Sequence, residues 1–110
     1  MSKLIFVDLD GTLAQYNGWK GVTYIGNPVP VMANRVKQWL NNGDTVKIFT
    51  ARVSQKHDGR DIEMAKQAIK EWTIKHFGKA LEAVSDKDPR VDEIWDDKAF
   101  GVETNTGKLK

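Results

Sequence analysis

The sequence predicts a single α/β domain built on a parallel β-sheet. Short apolar runs typical of buried strands alternate with two longer segments whose apolar residues recur at helical spacing. The order is strand, flap, helix, strand, helix, strand, strand, and this alternation favours parallel strands joined by right-handed crossovers. A chain of 110 residues is long enough for one hydrophobic core and too short for two, so we expect one domain over residues 1–110.

The first predicted strand runs from Lys3 to Asp8, because its apolar run Leu4–Val7 is continuous, as in central parallel strands. An irregular stretch follows from Leu13 to Pro30, in which glycines, asparagines and a proline interrupt short apolar runs. We interpret this stretch as a small hairpin or flap.

The middle of the chain contains the two predicted helices and the second strand. The first helix is predicted over Val31–Asn41, whose apolar residues lie on one side, and Asn42-Gly43 ends it. Thr45–Thr50 alternates and is rich in β-branched residues, which predicts the second strand. The second helix follows the polar loop Ser54–Gly59 and keeps its apolar spacing until Gly78 provides a C-terminal cap.

Two further strands are predicted near the C-terminal end. They span Leu81–Ser85 and Val91–Trp95, and the second of them leads into Asp96-Asp97. In a parallel sheet all four strands point their carboxyl ends to one edge, where ligands bind in open α/β folds. The tail from Gly101 onward is polar and is expected to be loosely held.

The composition excludes several kinds of site and partner. The 17 basic and 15 acidic residues give a net charge of +2, which is too small for an electrostatic footprint on nucleic acid. The absence of cysteine excludes disulfides, thiolate metal sites and thiol nucleophiles. The apolar stretch near the N-terminus has only four residues, unlike a signal peptide or a membrane span. We therefore expect a cytoplasmic protein with no membrane partner.

Two carboxylates stand at the end of the first strand. Asp8 and Asp10 are two residues apart, so on extended backbone their side chains start on the same face. Two unit charges about 4 Å apart repel by roughly 4 kcal/mol at an effective dielectric near 20, so the pair needs a cation, a proton or separation. Gly11 and Thr12 follow, and because Asp, Gly and Thr are ordinary turn and cap residues, a plain turn is the alternative.

The same edge would collect polar residues from the other strand ends. Thr50 closes the second strand and Arg52 follows it, although a strand-terminal Thr and a solvated Arg are common without function. Lys87 follows the third strand in a short turn. Asp96-Asp97 follows the apolar end of the fourth strand, so the pair terminates a buried element and differs from an ordinary solvated acidic pair.

Together these segments resemble the four motifs of the haloacid dehalogenase (HAD) superfamily of phosphotransferases. Asp8–Thr12 is similar to the first motif, Thr50 to the second and Asp96-Asp97 to the fourth. The third motif is a single lysine, for which we choose Lys87 because it follows a strand's carboxyl end, with Lys98 as the second choice. The resemblance covers nearly the whole chain.

The resemblance implies a Rossmann-like, three-layer domain with helices on both faces of a parallel sheet. No cap domain is expected, because the flap is too short to hold one, so the site is expected to be open. An open site implies a bulky phosphorylated substrate, either a small molecule or a nucleotide or nucleic-acid end, or cover from another subunit in a homo-oligomer. Three flap aromatics, Tyr16, Trp19 and Tyr24, either stack on a nucleobase or sugar or pack the flap onto the sheet.

The resemblance also implies a mechanism, the Mg²⁺-dependent hydrolysis of a phosphomonoester. Asp8 attacks phosphorus and forms an aspartyl-phosphate, while Asp10 serves as general acid and base and holds a proton while Asp8 stays ionised. Mg²⁺ is bound by Asp8, the backbone carbonyl of Asp10, and Asp96 or its alternative Asp97. The other implied site residues are the catalytic Thr50 and Lys87 and the substrate contacts Gly11, Thr12, Ala51 and Arg52.

Two other classes of function stay open. A receiver-like phosphoacceptor domain also gathers aspartates, a Thr and a Lys at this edge, but it places the acceptor on a middle strand. The second predicted strand ends in Thr50-Ala51-Arg52, without an Asp, which argues against that class. The other alternative is a non-catalytic phosphate- or Mg²⁺-binding module on a HAD-like fold, because residue types and spacing do not establish turnover.

Overall fold

The computed structural model describes residues 2–110 of the chain. The predicted order of elements is confirmed, with small shifts at their ends. The regular elements are β1 (Leu4–Asp8), α1 (Pro30–Asn41), β2 (Thr45–Phe49), a short 3₁₀ turn (Ala51–Val53), α2 (Gly59–Phe77), β3 (Ala83–Val84) and β4 (Glu93–Trp95).

The four strands form one parallel sheet in the order β3-β2-β1-β4. β1 lies in the interior and pairs with β2 from Leu4 to Asp8, and with β4 from Ile5 to Val7. β3 pairs only with the last two residues of β2, so β3 and β4 are shorter than the predicted runs. Because all strands run in one direction, their carboxyl ends lie at a common edge, here termed the carboxyl edge.

The hydrophobic core lies on one face of this sheet. Val7 of β1 and Ile48 of β2 are paired in register and have no exposed surface. They belong to one cluster that also includes Val36 of α1 and Ile69 of α2. Both helices therefore pack on the same face, which gives two layers where the sequence predicted three layers with helices on both faces.

Handedness explains this difference. The chain steps from β1 to β2 and from β2 to β3 in the same direction across the sheet. Right-handed crossovers that step in the same direction place both helices on the same face. The return from β3 to β4 is made by irregular chain, and the opposite face carries the stacked rings of Phe6 and Phe49, whose centroids are 5.4 Å apart. A helix is thus missing from that face among residues 2–110.

The segment between β1 and α1 forms the predicted flap, without regular strands. The backbone N–H of Gln15 donates to the carbonyl of Asn27 at 2.8 Å, and the indole N–H of Trp72 on α2 donates to the carbonyl of Gly26 at 3.0 Å. A Cβ at position 26 would overlap the carbonyl oxygen of Gln15, so only glycine allows this close approach. The flap is therefore fastened to the core on the helical side.

The two helices end where the sequence predicted. Asp58 caps α2 by accepting a hydrogen bond from the backbone N–H of Arg60, and Gly78 ends it in the left-handed conformation at φ +71°. Pro30 begins α1, a position that tolerates proline because its missing N–H has no helical partner. Within residues 2–110, neither helix combines the length and apolar character that a membrane crossing requires.

Candidate functional site

Three carboxylates meet at the carboxyl edge. Asp8 is the last residue of β1, and Asp96 and Asp97 directly follow β4, its neighbour in the sheet. One carboxylate oxygen from each of the three residues lies within 4.8 Å of the other two. Strand pairing therefore brings together the acidic residues that the sequence predicted at the ends of β1 and β4, and we term them the acidic triad.

The acidic triad fits a hard divalent cation. Its donors are all carboxylate oxygens, the ligand type that Mg²⁺ and Ca²⁺ prefer. Mg²⁺ is commonly held by a few protein oxygens together with water and substrate phosphate, so three carboxylates at one edge are sufficient. The side chain of Asp10 is not part of this cluster.

Thr12 joins the two loops that carry the triad. Its hydroxyl lies 3.1 Å from a carboxylate oxygen of Asp8 and 3.1 Å from one of Asp97, and it accepts a hydrogen bond from the backbone N–H of Asp97 at 2.9 Å. Gly11 adopts φ +88°, and a Cβ there would lie 2.9 Å from a carboxylate oxygen of Asp97. Gly11 and Thr12 thus set the distance between the loops.

Burial and the proximity of the three carboxylates shift the pKa values of Asp8 and Asp97. Burial, followed by the charge of Asp96 and the hydrogen bond to Asp97, raises the pKa of Asp8 to about 7. Burial also opposes the charge of Asp97, but hydrogen bonds from Asp8 and Thr12 outweigh it and lower the pKa of Asp97. The raised pKa of Asp8 favours its protonated form below about pH 7, and a bound cation would compete with that proton.

Asp10 forms a forked ion pair with Arg52. The Nε and Nη2 atoms of Arg52 each donate to a different carboxylate oxygen of Asp10 at 2.9 Å, and the Arg52 side chain is only 5% exposed. The sequence predicted that Asp10 holds a proton beside an ionised Asp8 and that Arg52 contacts phosphate. The structure differs, because Arg52 is bound to Asp10 and the raised pKa belongs to Asp8.

Arg52 also connects the site to the flap. Its Nη1 donates to the carbonyl of Val22 at 3.1 Å, and its guanidinium lies 4.9 Å from the centroid of the Trp19 ring. The backbone N–H of Arg52 donates to the hydroxyl of Thr50 at 3.2 Å, which caps the 3₁₀ turn after β2. One buried cation therefore holds the flap, the end of β2 and the loop after β1 together.

A cleft of about 490 Å³ opens at this edge. It brings together most of the residues that the sequence singled out, and Thr12 lies buried beneath it. One of its lining residues, His57, was not singled out from the sequence; it lies in a polar loop that shows no periodicity to mark it. The cleft is lined by Asp8, Asp10, Gly11, Tyr16, Trp19, Thr50, Ala51, Arg52, His57, Asp96, Asp97 and Lys98.

Lys87 does not line this cleft. It borders a separate groove with Phe6 and Lys47, whose side chains lie on the sheet face opposite the helices. The turn that carries Lys87 is closed by Asp88, which accepts hydrogen bonds from the backbone and the guanidinium of Arg90. Lys98, the second choice from the sequence, is the lysine in the cleft.

Comparison of the chain with known protein families, with curated proteins and with solved structures found no match. The function is therefore inferred from the geometry of the site residues.

Asp8 gives the protein a specific pH dependence of stability. Because its pKa is raised to about 7 in the folded state, the folded state binds more protons than the unfolded state between the ordinary pKa and 7. We expect the free energy of unfolding to fall as the pH rises from 5 through about 7, measured by urea denaturation without divalent cations.

The variant Asp8→Asn should lack this fall, and Asp86→Asn, at an exposed position outside the triad, should retain it. His76, whose pKa is lowered by burial, contributes the opposite slope in all three proteins, so the comparison isolates Asp8. The same slope in Asp8→Asn and the unmodified chain would contradict the assignment.

Cation binding to the triad should stabilise the fold. Mg²⁺ at about tenfold above its dissociation constant should raise the melting temperature by about 5 °C or more, because it binds only the folded state. The shift should be lost in Asp96→Asn and kept in Asp86→Asn, as measured by differential scanning calorimetry. A melting temperature unchanged by Mg²⁺ in the unmodified chain would rule out the site.

Proposed function

We propose that the chain is a Mg²⁺-dependent phosphatase with a Rossmann-like, HAD-type active site, which hydrolyses a phosphomonoester through an aspartyl-phosphate on Asp8. The observation that carries the proposal is the convergence of Asp8, Asp96 and Asp97 at the carboxyl edge, in one cleft with Asp10 and Thr50. A nucleophilic carboxylate, a second carboxylate nearby and a cation site are the groups that phosphoryl transfer requires.

The reaction has two steps. In the first, a carboxylate oxygen of Asp8, which has lost its proton to solvent, attacks phosphorus, and the bond from phosphorus to the ester oxygen breaks. Asp10, which has taken up a proton after its release from Arg52, gives that proton to the leaving alkoxide. In the second, water attacks phosphorus, Asp10 takes up a proton from that water, and the bond to Asp8 breaks. The products are the alcohol, phosphate and the regenerated carboxylate of Asp8.

Charge neutralisation is the main requirement of this reaction, because the transition state spreads negative charge over the phosphoryl oxygens. Mg²⁺, held by Asp8, the Asp10 carbonyl and Asp96 or Asp97, would supply positive charge beside the nucleophile. The hydroxyl of Thr50 and the ammonium of Lys98 are the chain's own donors to the phosphoryl oxygens. We assign this role to Lys98 instead of Lys87 because it shares the cleft with Asp8.

Arg52 is proposed to exchange partners when substrate enters. In the structure its Nε and Nη2 both donate to Asp10, which leaves that carboxylate paired. Phosphate oxygens accept the same forked pair of N–H groups that a carboxylate does. A phosphoryl group that binds Arg52 would release Asp10 to carry the proton that the first step needs, in agreement with the substrate contact implied by the sequence.

The second candidate function is a non-catalytic cation-binding module. The Asp10–Arg52 pair favours it, because a general acid cannot act while both carboxylate oxygens are held. A receiver-like phosphoacceptor would share the nucleophile but would keep the phosphoryl group on Asp8. Both alternatives predict a metal site without multiple turnovers, so an assay of turnover separates them from a phosphatase.

The substrate proposed here is a phosphorylated small molecule, a nucleotide or the phosphorylated end of a nucleic acid. The flap contributes Tyr16 and Trp19 to the cleft, and we propose that a bulky leaving group extends from it into solvent. A second copy of the chain that covers the open side is a further proposal. The proposed location is the cytoplasm, where Mg²⁺-dependent phosphoryl transfer is common.

Removal of the nucleophile should abolish turnover. With para-nitrophenyl phosphate and Mg²⁺, we expect Asp8→Asn to lose about 10³-fold or more in kcat, the scale of loss when an enzyme's nucleophile is removed. Asp86→Asn, which leaves the cleft intact, should retain the activity of the unmodified chain. Release of nitrophenolate by Asp8→Asn at the rate of the unmodified chain would refute the proposed nucleophile. If the unmodified chain made one turnover and then stayed as a stable phosphoprotein, the receiver-like alternative would be favoured.

Two lysine variants form a matched pair that tests the third motif. Lys98→Ala should lower kcat/KM for the same substrate by about 10²-fold, as expected when one donor to a developing charge is lost. Lys87→Ala should leave kcat/KM within about twofold, because its side chain borders another groove. The reverse pattern in steady-state kinetics would restore the assignment made from the sequence.

A further inference from the structure

The flap places an exposed aromatic ring beside the acidic triad. Trp19 lines the same cleft as Asp8, and 57% of its surface is exposed. An indole has a large apolar surface, and its transfer from water to a contact is favourable. The ring is not used by the cation site or by the proposed chemistry, so it is free to bind another part of the substrate.

The ring has a fixed position because Arg52 lies against it. The guanidinium, 4.9 Å from the ring centroid, covers one face of the indole. Before substrate enters, Arg52 is in turn held by Asp10 and by the carbonyl of Val22, and the proposed exchange of partners leaves the Val22 contact in place. The exposed surface of Trp19 is therefore held ready for a ligand, since one side of the ring is already packed.

The residues that line the cleft are of two chemical kinds. Its carboxylates, Thr50 and Lys98 suit a cation and a phosphoryl group. Tyr16 and Trp19 are aromatic and are 47% and 57% exposed. A flat aromatic group gains most from such a surface, whereas a sugar alone needs hydrogen-bond partners for its hydroxyls. The cleft volume of about 490 Å³ is within the usual range for small-molecule sites.

We propose that Trp19 is a specificity-determining residue whose ring stacks on the base of a nucleoside 5′-phosphate. The inference rests on the proposed function, because the phosphate end of the ligand is assigned to the triad and Thr50. Base stacking on an aromatic ring depends little on base identity, so the preference is for nucleotides as a class. A free nucleotide and the 5′-phosphorylated end of a strand share this chemistry.

The test compares adenosine 5′-monophosphate with ribose 5-phosphate, which have the same phosphorylated sugar carbon and differ by the base. The unmodified chain should show a kcat/KM about tenfold higher for the nucleotide. Trp19→Leu should bring the two values together, and Trp19→Phe should keep most of the preference. Tyr24→Leu is the matched control, because Tyr24 is a flap aromatic that is 49% exposed and lies outside the cleft.

The ratio separates specificity from a structural role. If Trp19→Leu only loosened Arg52, both substrates would lose kcat/KM equally and the ratio would persist, which would overturn the inference. Equal kcat/KM for both substrates in the unmodified chain would also overturn it while leaving the phosphatase proposal intact. A melting temperature of Trp19→Leu near that of Tyr24→Leu shows that the variant is folded.

If the unmodified chain shows no turnover, the phosphatase proposal fails, but the stacking of Trp19 on a base can still be tested by a binding measurement. Equilibrium dialysis of Asp8→Asn with each compound should show tighter binding of adenosine 5′-monophosphate, by about tenfold, and loss of that difference when Trp19→Leu is added. Equal binding of the two compounds would refute the stacking role. A 5′-phosphorylated oligodeoxynucleotide, assayed in parallel, shows whether the free nucleotide or a strand end is preferred in a Trp19-dependent manner.

Discussion

Repulsion between like charges at the carboxyl edge is the constraint on which the site depends. Two unit charges about 4 Å apart repel by roughly 4 kcal/mol at an effective dielectric near 20. The three carboxylate oxygens of the triad lie within 4.8 Å of one another, so full ionisation would bring three repulsions of this kind. The fold tolerates them because the hydroxyl of Thr12, itself held by the backbone N–H of Asp97, lies within hydrogen-bond distance of Asp8 and Asp97, and because the raised pKa of Asp8 favours its protonated form. Without a cation, protonation of Asp8 reduces the repulsion between the carboxylates. A bound cation would replace that proton and reduce the repulsion further.

The sequence predicts the order of elements and the edge where polar residues gather, since hydrophobic spacing separates helices from strands and a parallel sheet collects strand ends on one side. It does not predict the number of layers. That number depends on the direction of each crossover, and the return to β4 beside β1 is made by chain with no periodic signal. The face bearing Phe6 and Phe49 consequently has no helix among the described residues, although Phe6 is only 1% exposed.

The same limit applies within the site. Asp8, Asp96 and Asp97 could be predicted together because each stands next to a strand, where the backbone fixes the position of a short side chain. The positions of longer side chains cannot be predicted in this way. Arg52 pairs with Asp10, 42 residues away. Lys87 lies beside a turn that is closed by the contact between Asp88 and Arg90, and it borders another groove. In each case the contacts of a flexible cationic side chain depend on which groups the fold brings near it. The spacing of residues along the chain does not predict those contacts.

The hydroxyl of Thr12 contacts a residue 85 positions further along the chain. Polypeptides are made from the N-terminus at about 5 to 20 residues per second, so β1 and its loop leave the ribosome seconds before their partner strand exists. During that interval the nascent chain carries Asp8 and Asp10 but lacks the second acidic loop. The acidic triad is therefore complete only when β4 docks, so a cation that needed all three carboxylates would bind only after β4 has left the ribosome.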